Sequence, residues 1–167
     1  MKDVSLRTKL LTLTKLRYQY LPQLGERLQS DDKILSAILQ GHLFVESLLE
    51  ELIKVCLENN SEAVLSARLS FDQKLVIAAK LHLANEWPLI PDYVVGSLRK
   101  LNSLRNKLAH RYGHEASEED IRELFVGLEQ ELPYQEIFED GLETAISRYV
   151  AFIFGCMLPK YEANAET

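Results

Sequence analysis

An all-α fold, a single-domain bundle of about five to six helices, is the architecture that the sequence predicts. Apolar residues recur with helical spacing along most of the chain, and no segment alternates apolar and polar residues as a half-buried strand does. Only seven glycines and five prolines interrupt the 167 residues, of which 47% are hydrophobic and 26% charged. This composition predicts a globular domain with a sizeable core over residues 1–160, followed by a polar C-terminal tail at 161–167.

Apolar stripes and cap residues delimit the helices of this bundle. Ser70 and the motif SEED at 117–120 are typical N-terminal caps, Gly113 suits a left-handed C-terminal cap, and Pro159 cannot continue a helix. The second segment is apolar around most of its circumference, so we expect it to be the central helix. The predicted helices cover residues 4–28, 33–59, 71–87, 92–112, 117–132 and 136–158, with a short helical turn in the linker after the second.

Charge is distributed unevenly along the chain. The net charge is −6 and the sequence pI about 5.3, which argues against a general nucleic-acid coat protein. Residues 99–114 nevertheless contain five Lys or Arg and no acid, so they carry +5 and the remainder carries −11. A local basic strip on an acidic body can contact phosphates without coating nucleic acid indiscriminately.

Cysteine usage and hydropathy favour a cytoplasmic protein without membrane contact. Cys56 and Cys156 form neither a zinc ribbon nor a disulfide framework, so we expect free thiols in a reducing compartment. The N-terminal residues lack the pattern of a secretory signal. The longest apolar run, YVAFIFGCML at 149–158, is far shorter than the roughly 20 residues that cross a bilayer. No cofactor is expected.

The segment LRNKLAHRYG at 104–113 places an arginine among the leucines of the fourth helix. On a helical wheel, Arg105 falls within an apolar arc made of Leu98, Leu101, Leu104, Leu108 and Tyr112. A second stripe consists of Asn102, Asn106 and His110, with Arg99 alongside. Arginine is rarely buried without a partner, so Arg105 requires an acid or an interface near water. Glu46 on the central helix is the candidate acid, and such a pair would be a purely structural contact.

The residue types of this segment suit RNA cleavage without a metal. That reaction activates the ribose 2′-hydroxyl against the adjacent phosphate and needs a base, an acid and a cation for the developing charge. Histidine transfers protons near neutral pH, and arginine grips phosphate through two parallel hydrogen bonds. One protomer supplies one well-placed histidine, His110. A dimer through this face would supply the second.

The segment RNKLAHRY resembles the R-N-x3-H signature of the HEPN superfamily, and more narrowly the R-x4-H-x-Y form of HepT-like toxins. A weaker similarity lies in HLFVESLLEELI of the central helix. The resemblance implies a helical fold and a metal-independent endoribonuclease that acts as a homodimer, in a toxin–antitoxin or phage-defence setting. Its implied partners are RNA, such as tRNA or mRNA, and a nucleotidyltransferase-type antitoxin.

The resemblance also implies roles for individual residues. Arg105 and His110 would be catalytic, Asn106 would orient the site, and Tyr112 would be the residue that an antitoxin modifies. Glu46 is similar to an acidic residue often found on an earlier HEPN helix. The remaining basic residues of the strip would bind RNA: Arg99, Lys107, Arg111 and His114.

Other interpretations of the same residues stay open. The chain could be a non-catalytic HEPN module that binds a nucleotide, RNA or a protein, or a helical scaffold. His110 and His114 have zinc-compatible spacing, but no third ligand is evident, so no metal site is expected. His42 is expected to be a hydrogen-bonded core residue. The acidic run 115–131 suits a solvated face, and alternatively an internal phosphate mimic or a docking surface for a basic partner.

Overall fold

The computed structural model describes residues 2–28, 34–83, 87–110, 115–132 and 134–158. Within them the chain is an all-α bundle, and the predicted fold class is confirmed. Its helices are α1 (Lys2–Leu28), α2 (Ile34–Leu57), α3 (Ser61–Leu65), α4 (Phe71–Lys80), α5 (Asp92–His110), α6 (Glu118–Phe125), α7 (Tyr134–Ile137) and α8 (Leu142–Met157). A 3₁₀ turn, Glu58–Asn60, joins α2 to α3, and two short strands, β1 (His82–Leu83) and β2 (Trp87–Pro88), follow α4.

Helix α2 is the centre of the bundle, as its apolar circumference predicts. It packs against α1, α4, α5 and α8, and nine of its residues are buried. The approach of α8 is close, because a Cβ atom added at Gly41 would lie 2.7 Å from Val150 Cγ2. A glycine therefore lets the two helices meet at the heart of the core.

Caps begin the helices where the sequence indicates. Ser70 forms a capping box with Gln73 at the start of α4, and Ser117 forms one with Asp120 at the start of α6. Each box satisfies two backbone N–H groups that would otherwise lack partners. Helix α4 ends at Lys80, however, and the prediction that it continues to residue 87 is wrong.

The early end of α4 has a packing reason. Leu81 is extended, and β1 pairs antiparallel with β2 through His82↔Pro88 and Leu83↔Trp87. The strand residue Leu83 is buried, as are Leu89 and Ile90 after β2. In a continuous helix Leu83 would lie about 140° around the axis from the buried Ala78, away from the core side.

Two further predicted helices are also shorter than expected. Helix α6 ends at Phe125 and is followed by turns in which Gly127 has a φ of 96°. The last predicted helix is divided into α7 and α8, because Gly141 between them has a φ of 93°, which no helix accommodates. The C-terminal tail at 161–167 lies outside the described residues.

A buried hydrogen-bond chain fixes α5 against its neighbours. The Ser97 hydroxyl donates to the backbone oxygen of Leu124 at 2.7 Å, and the Tyr149 hydroxyl lies 2.8 Å from Ser97 Oγ. Since the Ser97 proton is already used, the Tyr149 hydroxyl donates to Ser97. The motif helix is thereby anchored to α6 and α8. Among the described helices, none is both long enough and apolar enough to cross a bilayer.

Candidate functional site on helix α5

Helix α5 carries the candidate residues because one side of it is committed to the core. Its leucines at the predicted positions, Leu98, Leu101, Leu104 and Leu108, are buried. Asp92 lies in the first turn, and Lys107 and His110 lie in the last. The Asp92 carboxylate and the Lys107 ammonium each complement the helix dipole at their end. The helix therefore presents a fixed set of polar side chains near its C-terminal end.

Arg105 is half-buried and has no carboxylate partner among the described residues. Its Nη1 donates a hydrogen bond to Asn106 Oδ1 at 3.0 Å. A guanidinium has five N–H donors in a planar fork, so most of the Arg105 donors have no protein partner within the described part of the chain. This arrangement suits an anion that comes from outside the domain.

The expected contact between Arg105 and Glu46 does not form. The Glu46 carboxylate instead accepts from Lys74 Nζ at 2.7 Å, and Lys74 also donates to Glu50 at 2.6 Å. Lys74 is only 8% exposed. Burial alone would lower the pKa of Lys74, but the two carboxylates outweigh it and raise that pKa. The wheel placed Glu46 correctly in the helix, yet it could not show that α4 supplies a closer cation.

His42 is a hydrogen-bonded core residue, as predicted. It is 3% exposed, its Nε2 lies 3.0 Å from Asn102 Oδ1, and its ring stacks on Phe71 with centroids 4.4 Å apart. Burial lowers the pKa of His42, although the Asn102 hydrogen bond and nearby Glu46 oppose this shift. Asn102 is therefore the polar link between α5 and α2, a role that its place in the polar stripe does not reveal.

His110 is exposed and is the last residue of α5. On the helix it follows Asn106 by one turn, about 40° around the axis, and it lies about 140° from Arg105. The hydrogen bond from Arg105 to Asn106 brings the guanidinium toward the side that carries His110. Three other candidates, Arg111, Tyr112 and His114, and the predicted cap Gly113 lie outside the described residues.

The basic strip is partly neutralised by helix α6. Lys107 donates to Asp120 at 2.7 Å, and Lys100 donates to the backbone oxygen of Val126 at 3.1 Å, whereas Arg99 is exposed. Burial would raise the pKa of Asp120, but Lys107 and Ser117 outweigh it and lower that pKa to about 2. Asp120, a residue of the acidic run 115–131, thus pairs with Lys107, which was expected to bind RNA.

A small cleft of about 170 Å³ lies between α5 and α6. The lining residues are Lys100, Ser103, Leu104, Lys107, Asp120, Glu123 and Leu124. The two lysines and the two acidic residues among them have formal charges that balance. This balance makes the cleft less suitable for phosphate than the uncompensated guanidinium of Arg105.

No protein family model matches the chain, no curated protein matches its sequence, and no solved structure matches its fold. The similarity to the HEPN signature at residues 105–112 therefore stays a prediction.

Proposed function

We propose that this chain is a metal-independent endoribonuclease of the HEPN type, a cytoplasmic toxin or phage-defence component that acts as a homodimer. The state of Arg105 carries the proposal. Its guanidinium is half-buried on the motif helix, is bonded to Asn106, and has no carboxylate within ion-pair distance among the described residues. Partial burial of a cation costs free energy, and a bound phosphate would offset that cost.

Arg105 would bind the scissile phosphate, and Asn106 would hold the guanidinium in position. The ribose 2′-hydroxyl gives its proton to a neutral imidazole while its oxygen forms a bond to phosphorus. The bond from phosphorus to the 5′-oxygen breaks, and that oxygen takes a proton from a protonated imidazole. The products are a 2′,3′-cyclic phosphate and a 5′-hydroxyl, and Arg105 stabilises the charge that develops between them.

A homodimer would supply the second imidazole. Acid and base act on opposite sides of the phosphorus, so a single His110 cannot occupy both places at once. His110 is exposed at the C-terminal end of α5, so it is accessible to a second copy of the helix. Two copies of α5 that meet at their C-terminal ends would bring two histidines and two arginines to one cleft.

The proposed partners follow from the same resemblance. RNA, for instance tRNA or mRNA, would contact the exposed Arg99 and the rest of the basic strip. A nucleotidyltransferase-type antitoxin would silence the toxin by modifying Tyr112.

A non-catalytic HEPN module that binds a nucleotide, RNA or a protein is the second candidate. The Lys107–Asp120 pair favours it, because an enzyme that depends on phosphate contacts gains nothing from neutralising its own cation. In that case Arg105 would recognise an anion without cleaving it.

The test is cleavage of total RNA and of tRNA by the purified protein in excess EDTA. Arg105→Ala and His110→Ala should both lower cleavage by about a hundredfold or more. Arg7→Ala and His82→Ala are matched controls, because both side chains are exposed and lie outside α5. Binding of RNA by the wild-type protein without any cleavage would favour the second candidate, and cleavage at the wild-type rate by folded Arg105→Ala would contradict the first.

A further inference from the structure

The buried histidine of α2 has an unusual hydrogen-bond state. His42 Nε2 approaches Asn102 Oδ1 at 3.0 Å, whereas His42 Nδ1 has no hydrogen-bond partner among the described residues. An amide oxygen only accepts, so Nε2 carries a proton. A second proton, on Nδ1, would have no acceptor among the described residues, so the arrangement fits a neutral ring.

Protonation of His42 would disturb its surroundings. A proton on Nδ1 would create a buried N–H donor with no acceptor, in a residue that is 3% exposed. The charged groups that face the ring are Glu46 on α2, Asp72 on α4 and Arg105 on α5. Burial is the largest influence and disfavours the charged ring. Arg105 adds repulsion, while the Asn102 hydrogen bond, Glu46 and Asp72 act in the opposite direction.

The contact reaches the candidate site through one turn of α5. Asn102 precedes Asn106 by four residues, so the two amides lie on the same side of the helix. Asn106 in turn accepts the hydrogen bond from Arg105. The His42–Asn102 bond thus fixes the rotation and depth of α5 against α2 at the turn that carries the Arg105–Asn106 pair.

We propose that neutral His42 is a positioning residue for Arg105, and that a proton on His42 releases the turn of α5 that presents the guanidinium. The inference rests on the proposed function, because it assigns His42 a part in the activity of that site. His42 lies behind the site and touches no substrate. The neutral ring acts through its hydrogen bond to Asn102, and the protonated ring would in addition repel Arg105.

The coupling between His42 and Arg105 can be measured without RNA. The midpoint of His42 is followed by its ring ¹³C–¹H signals during a pH titration of the full chain, in the wild-type protein and in Arg105→Gln. Loss of the neighbouring cation should raise the His42 midpoint, because Arg105 disfavours the charged ring. The exposed His82 should titrate identically in both proteins. An unchanged His42 midpoint would overturn the proposal.

The pH profile of RNA cleavage tests the positioning role. Below the His42 midpoint, log(kcat/KM) of the wild-type enzyme should fall more steeply with decreasing pH than that of His42→Gln. The reason is that His42 takes up a proton in the wild type, whereas the amide of the variant donates without titrating. His82→Gln should keep the wild-type slope, and equal slopes in wild type and His42→Gln would overturn the proposal.

The two measurements separate the possible failures. If the wild-type protein does not cleave RNA, the proposed function fails, and the titration of Arg105→Gln still decides whether His42 and Arg105 are coupled. If the protein cleaves RNA with equal slopes, the proposed function stands and the role of His42 is wrong. The Arg105→Gln titration also decides the matter if His42→Gln does not fold.

Discussion

Two cations of the bundle have opposite environments. One is Lys74, at the interface of α2 and α4, and the other is Arg105, in the C-terminal turns of α5. Lys74 is 8% exposed and is bound by two carboxylates, Glu46 at 2.7 Å and Glu50 at 2.6 Å. Arg105 is half-buried and has no carboxylate within ion-pair distance among the described residues. The buried Lys74 is neutralised by carboxylates of the domain itself. Arg105, without such a partner in the described residues, is available for an external anion.

The largest effect is expected from removing Arg105, the cation without a carboxylate partner among the described residues. Arg105→Ala should lower kcat/KM for RNA by about 10²–10³, the typical loss for one group that stabilises developing charge. Its melting temperature should stay close to that of the wild type, because no ion pair is lost. Cleavage kinetics and a thermal melt on the same samples check both. A large fall in melting temperature would mean that Arg105 has a structural role.

The converse change removes the neutralised cation. Lys74→Met should destabilise the fold by about 2 kcal/mol, because Glu46 and Glu50 would then repel each other beside the core. Denaturant unfolding measures this free energy. Lys54→Met is the matched control, since the Lys54–Glu51 pair is more exposed, and it should cost less than about 1 kcal/mol. Equal effects of the two variants would contradict the distinction between the two regions.

The pH dependence of stability should reveal His42 and Asp120 in different pH ranges, because the pKa of each is lowered in the folded chain. Burial lowers the pKa of His42 below its ordinary value of 6.5, so the unfolded chain takes up a proton first. Stability should therefore fall as the pH drops below 6.5, and His42→Gln should flatten this part of the curve. Asp120 contributes separately: its pKa is lowered from 3.8 to about 2, so its stabilisation is lost only as the pH falls from about 4 toward 2. Chemical unfolding between pH 4.5 and about 7.5 isolates the His42 effect.

The smallest expected effect concerns the neutralised end of the basic strip. Asp120→Asn should keep the capping hydrogen bond but free Lys107, so RNA should bind a few-fold more tightly. The slope of log K against log [salt] should steepen by roughly 0.7–0.9, the value for one additional phosphate contact. Fluorescence anisotropy with a labelled oligonucleotide measures both quantities. An identical slope in Lys107→Met/Asp120→Asn and in Asp120→Asn would show that Lys107 does not contact the phosphates.

Local sequence signals predicted the bundle and its start points well. The apolar circumference of α2 identified the central helix, and Ser70 and Ser117 marked the starts of α4 and α6, because capping chemistry depends on residues three positions apart. The ends of α4 and α6 were placed too late. Periodicity does not distinguish a helix from an extended segment that buries an apolar residue, as Leu83 in β1 shows.

The site was predicted less completely because its contacts join distant segments. The wheel placed Arg105 in the apolar arc and identified Glu46 as an interior acid, but three-dimensional packing gives Glu46 to Lys74. Nothing in the spacing of Asn102 indicates that it bonds His42, sixty positions earlier. An ion pair such as Lys107–Asp120 likewise depends on how α6 folds back on α5.

The most direct test of the central claim is the chemistry of the RNA ends. A defined oligonucleotide is incubated with wild-type protein in excess EDTA, and the products are identified by mass spectrometry. The wild-type protein should produce 2′,3′-cyclic phosphate and 5′-hydroxyl ends, and His110→Ala and Arg105→Ala should produce about a hundredfold less of them or lower still. Products with 3′-hydroxyl and 5′-phosphate ends, or cleavage that EDTA abolishes, would contradict it.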